Sequence, residues 1–164
     1  MKMFLQMKLM MLCYSLFFSI AVFAADTSET QVQNTYYNWC TDINKARGDS
    51  ATMVKFYAPD AVLLATFSDK ILRNTQGGLN NYFHSLTSHQ DIKCKTDKLM
   101  TRMEGDSAVN TGFYTFSYVD NHHKQVVIPA RFTFVYKKIN EKWMIINHHS
   151  SIVPPTYESE IDET

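Results

Sequence analysis

Glycine and proline are scarce in this chain of 164 residues, five and four respectively, and cysteine scarcer still at three. The few glycines form no Gly-rich loop of the kind that cradles nucleotide phosphates, and there is no kinase-type ATP lobe. Ser150-Ser151 lacks the strained glycine elbow of a serine nucleophile. Charge is balanced, 16 basic against 16 acidic side chains, with no long run of either sign. Lys93, Lys95 and Lys98 form only a modest cluster that reads as a solvated strand edge, so nucleic acid is not an expected partner. Metal-ligand spacing is missing too. His84 and His89 match no other ligands, His122 and His123 sit in a turn, and the adjacent His148 and His149 point to opposite faces of a strand. We expect no metal and no cofactor.

What is present begins with a leader. Lys2 and Lys8 precede an apolar run from Leu9 to Val22, and Val22-Phe23-Ala24 suits a signal peptidase. The run is shorter than the roughly 20 residues a membrane span requires. Residues 1–24 therefore read as a signal peptide, and the mature chain as exported, periplasmic or secreted, and free of the membrane. Without Lys2 and Lys8 the balance is 14 basic to 16 acidic. The mature cysteines are Cys40 and Cys94; export permits a disulfide, while a buried free thiol on a helix face is equally compatible with the residues.

The remainder, 27–154, has the length for one domain with one core. Val32, Tyr36, Trp39 and Ile43 step by four, three and four, which predicts a helix capped by Thr27 or Ser28 and ended by Arg47-Gly48. A second short helix follows Asp49 or Ser50 and stops at Pro59; Ala61 to Thr66 reads as a strand, Ile71 to Arg73 as a brief one, and a third helix starts at Asn74 or Thr75. Four strands follow: 92–104, 108–119, 125–138 and 142–150, joined by polar turns. Helices cover one face of a bent sheet in such an α+β arrangement. The acidic stretch 155–164 has almost nothing to bury and reads as a disordered tail.

The last two strands form a hairpin both of whose faces are partly apolar. Phe132, Phe134 and Tyr136 share one side, Arg131, Thr133 and Val135 the other. One side packs on the chain's own helices; the other asks for a second subunit or a curved wall of sheet.

Phe56-Tyr57-Ala58-Pro59-Asp60-Ala61-Val62-Leu63-Leu64, Gly105-Asp106, Thr111-Gly112-Phe113-Tyr114-Thr115-Phe116 and the terminal hairpin together resemble the nuclear-transport-factor-2-like (cystatin-like) superfamily. Ala130-Arg131-Phe132-Thr133-Phe134-Val135-Tyr136, Lys142-Trp143 and His148-His149-Ser150-Ser151 look like its SgcJ/EcaC group, which is similar to the association domain of calcium/calmodulin-dependent protein kinase II. The resemblance implies a cone of three helices on a curved, mainly antiparallel sheet, an enclosed pocket, and dimers or rings formed through the sheet's outer face. It also implies where chemistry would sit. The general base of ketosteroid-isomerase-like members falls on Ala65, which moves no proton, and the pocket arginines of the kinase association domains fall on Tyr114 and Phe134.

On this reading Arg131 and His149 are the polar anchors of a pocket for a small, possibly anionic organic ligand, with Asn147, Tyr114 and Arg73 around them. His149 is placed on the face of Trp143, Ile145 and Asn147 by simple alternation. Arg131 at the strand mouth, paired with a carboxylate such as Asp60, is the alternative. The leading function is an exported homo-oligomeric binding or assembly domain. The second is a small-molecule enzyme, isomerase, hydrolase or oxidoreductase-like, with His149 as catalytic acid or base.

Overall fold

The structure, a computed structural model, describes residues 28–155. The leader, the Thr27 cap and all but the first residue of the acidic tail lie outside it. Helix α1 spans 28–43 and buries Val32, Tyr36, Trp39 and Ile43, as its spacing requires. One-turn α2 (Ala51–Val54) is started by Asp49, whose Oδ1 accepts the Ala51 N–H at 3.1 Å and whose Oδ2 accepts the Thr52 hydroxyl at 2.7 Å. That hydroxyl holds the Asp49 carboxyl below its usual range.

Strand β1 is Tyr57–Leu64, four residues earlier than the sequence suggests. Pro59 does not end a helix. It lies exposed within β1, where pairing slips between Tyr57 and Val62, the bulged position a strand proline tolerates. β2 (Ile71–Arg73), a 3₁₀ turn (Asn74–Gln76) and α3 (Gly78–Thr87) follow, Gly77 taking the left-handed step between them at φ 68°. Long strands β3 (Gln90–Glu104), β4 (Ser107–Val119), β5 (Gln125–Ile139) and β6 (Lys142–Ile152) form the meander. The sheet order is β2-β1-β6-β5-β4-β3, with only β1–β6 parallel, so the sheet is mainly antiparallel and open at both edges.

The core lies between the helices and one face of this sheet. Phe132, Phe134 and Tyr136 are buried there against Tyr36 and Trp39. Arg131, Thr133 and Val135 face outward, so the two-sided hairpin holds. Cys40 on α1 and Cys94 on β3 are joined, which resolves the alternatives the sequence left open in favour of a disulfide. Close approach at Gly112 shapes the sheet's middle: a Cβ there would lie 1.9 Å from the Lys98 carbonyl oxygen, next to the β3 bulge between Thr96 and Lys98.

Candidate functional site

The polar groups of the interior are few, and two chains of hydrogen bonds organise them. In the first, the Trp39 indole N–H donates to the Tyr57 hydroxyl at 3.1 Å, and that hydroxyl lies 2.9 Å from Nδ1 of His148. An indole is only a donor, so the Tyr57 proton goes to His148 Nδ1, and the neutral imidazole carries its own proton on Nε2. That Nε2–H is buried and has no partner among the described residues. The ring is stacked on Phe134 at 3.8 Å and edged by Trp39. Burial, with the nearby His149 adding to it, pushes His148 down to about 3. In the second chain the Tyr114 hydroxyl donates to Ser150 Oγ at 2.5 Å, and Ser150 Oγ also meets Thr66 Oγ1. Burial raises both tyrosine hydroxyls, which stay protonated.

Of the residues expected in the pocket, only Tyr114 is inside. Arg131, Asn147 and His149 are exposed on the outer face. Arg131 lies opposite the buried Phe132 face by plain alternation; for Asn147 and His149 the reason is a bulge. Tyr136 pairs with Ile145, but its neighbour Val135 pairs with Asn147, so Ile146 is an extra residue and every side chain after it changes sides. Trp143 and Ile145 point inward, then His148 and Ser150 do, while Asn147 and His149 point out. Alternation alone gave the opposite face for His149. Arg131 does not pair with Asp60; its Nε donates to Ser151 Oγ at 3.1 Å. Arg73 is exposed at the end of β2, opposite Val62, which pairs with Asn147.

Sequence reasoning missed His148, Tyr57, Ser150 and Thr66 as one group. The His148-His149 pair was a visible signal, but its inward member depends on the bulge. At the centre, where an enclosed pocket was expected, the rings of Trp39, Tyr57, Phe83, Tyr114 and Phe134 pack on one another. A cleft of about 270 Å³ opens at the mouth between Phe67, Tyr82, Leu86, His89 and Tyr118. Phe67 leads through Phe116 to Tyr114 by ring contacts of 5.7 and 4.7 Å. No carboxylate is buried among the described residues, and Ala65, where the resemblance would put a general base, is 6% exposed. The interior therefore offers neutral donors and hydroxyls, which bind acceptor oxygens well and transfer protons poorly.

Helices laid over one face of a long, bent, open sheet define the nuclear-transport-factor-2-like, cystatin-like class, and solved structures agree. A superfamily member from Salmonella enterica is similar at TM-score 0.71 and 17% identity, covering 83% of this chain and 98% of that one. A cystatin-like protein from Caulobacter vibrioides is similar at TM-score 0.62 and 18% identity, covering 77% and 89%. Within that class the chain belongs to the calcium/calmodulin dependent protein kinase II association domain family, whose model it matches over residues 28–154. A Xanthomonas campestris protein assigned to these association domains is 35% identical, at TM-score 0.69, covering 76% of this chain and 87% of that one. No protein curated for its function matches.

Proposed function

We propose that this chain is an exported domain that assembles with copies of itself through the outer face of its sheet and binds a small organic molecule at its polar interior. The observation that carries the assembly is one continuous row across all six strands. Ile71, Leu64, His149, Thr133, Thr111 and Met100 are successive cross-strand partners facing away from the helices. Ile71 and Met100 are 63% and 62% exposed, and Phe113 at 44% lies beside them. The row is apolar at its ends, Ile71, Leu64 and Met100, and polar in its middle; with Phe113 it puts four exposed large apolar side chains on one sheet face, the kind of surface that a partner covers. Membership of an association-domain family supports a second copy as its cover. Arg131, Asn147, His149 and Arg73 then belong to that face, with Arg131 presenting its remaining N–H groups to a carboxylate of partner or ligand.

Ligand binding is supported by the mouth cleft and by the unpartnered His148 Nε2–H, which suits a carbonyl or carboxylate oxygen once the rings packed between them part. The enzyme reading is weaker: His149 sits away from the interior, and His148 stays neutral at physiological pH. The likeness to the SgcJ/EcaC group rests on the closing hairpin motif alone. Export is supported by the Cys40–Cys94 bridge, because disulfides persist in oxidising compartments.

Native mass spectrometry of the mature chain from its own host, beside Leu64→Glu and His148→Ala variants, tests both parts. A discrete oligomer that falls to monomer in Leu64→Glu, with a small retained mass lost in His148→Ala, is the expected result. A monomeric wild-type protein overturns the assembly, and an oligomer with no retained mass removes the ligand.

A further inference from the structure

A groove of about 510 Å³ runs between α1 and the β5–β6 turn, apart from both the interior and the outer face. One wall is α1. Gln31, Asn34, Thr35 and Asn38 recur at i, i+3, i+4 and i+7 and so form one strip along the helix. A solvated helix strip ordinarily carries Lys and Glu, and asparagine is a poor helix former. This strip has no charge, and its three amides have no hydrogen-bond partner among the described residues. The other wall is aromatic, made by Phe56, whose ring carries the Lys55 ammonium 5.0 Å from its centroid, and by the edge of the buried Trp143. It is held firmly: Ile145 N–H donates to the Phe56 carbonyl at 2.8 Å, and the turn before Trp143 is a tight left-handed pair, Asn140 (φ 48°) and Glu141 (φ 63°).

Trp143 is only 6% exposed, and its indole N–H is another buried donor without an acceptor among the described residues. Charges at the rim are largely neutralised. Lys55 is paired with Asp42 at 2.7 Å, and Glu141 with Lys138 at 3.1 Å. Lys142 is the one cation lining the groove without an ion pair among the described residues, too few for a phosphate, and a wholly apolar ligand would strand the amides. Amides that both donate and accept, set against ring faces, match vicinal hydroxyls on one side of a molecule and C–H groups on the other. We propose that this groove binds a neutral polyhydroxy compound, a short saccharide, between the α1 amide strip and the Phe56–Trp143 wall.

The two tryptophans of the chain give two indole N–H resonances, and a Trp143→Phe variant assigns the one in the groove. The mature protein is titrated with maltotriose, cellotriose and triacetylchitotriose, and separately with inorganic phosphate. The expected result is a saturable shift of the Trp143 resonance with at least one saccharide, weakened about tenfold in an Asn34→Ala, Asn38→Ala double variant. Both asparagines are exposed and alanine is the better helix former, so the urea midpoint of the double variant should not fall below that of the parent. No shift with any saccharide, a shift with phosphate alone, or a shift unaffected by the double variant overturns the proposal. None of these outcomes depends on the oligomer or on His148.

Discussion

Tyr57 and His148 stand 91 residues apart in the chain and meet through a 2.9 Å hydrogen bond at the centre of the core. Because Tyr57 also accepts from Trp39, this one hydroxyl sets the tautomer of the histidine and ties β1, β6 and α1 together.

Tyr57→Phe should leave Trp39 Nε1 and His148 Nδ1 unpaired at once. At about 1–3 kcal/mol for each buried polar group left without a partner, the loss should reach about 2–6 kcal/mol. Urea unfolding measures it, and a loss below about 1 kcal/mol would show that the bond is not made.

Acid should destabilise the fold through His148. Its folded value of about 3 lies below the unfolded 6.5, so the unfolded chain takes up the proton first. This stability is fully present above pH 6.5 and is lost as pH falls toward 3, at up to about 1.4 kcal/mol per pH unit. Comparing the urea midpoint at pH 7 and pH 5 in the wild type and in His148→Leu checks the sign: the variant should lose less on acidification.

Gly112→Ala should be among the costliest single changes in the sheet. The added carbon meets backbone, the Lys98 carbonyl, and not a side chain that can swing away. We expect a loss of about 3 kcal/mol or more, seen as a lower melting temperature; an unchanged one would mean that the β3 bulge relaxes freely.

Replacing Cys40 and Cys94 together by alanine opens a loop of 54 residues in sequence separation. Chain entropy puts the cost at about 4 kcal/mol. Unfolding of the wild type with and without reductant should show the same difference, and no reductant effect would mean that the bridge is not formed.

Much of the architecture was open to reading from local pattern. The α1 stripe of Val32, Tyr36, Trp39 and Ile43 and the Phe132, Phe134, Tyr136 face are both buried as their spacing demands. The start of β1 was misplaced because Pro59 looks like a helix stop, whereas it occupies a bulge whose existence depends on β6. The site suffered in the same way. An extra residue at Ile146 is invisible in the string Met144-Ile145-Ile146-Asn147, since each of those residues suits either face.

By itself, then, the sequence determined which residues travel together: the helix stripe, the alternating faces of the β5 strand, and the break points at Gly48 and Gly105; it began the third helix at Asn74 or Thr75, whereas the structure puts a left-handed step at Gly77 before it. Such patterns follow from the repeat of helix and strand and need no distant partner. Tertiary structure alone decided that His148 turns inward and His149 outward, that Cys40 reaches Cys94, and that Tyr57 links Trp39 to His148. Each of these depends on register between segments far apart in the chain, and register is set by how the whole sheet packs against its helices.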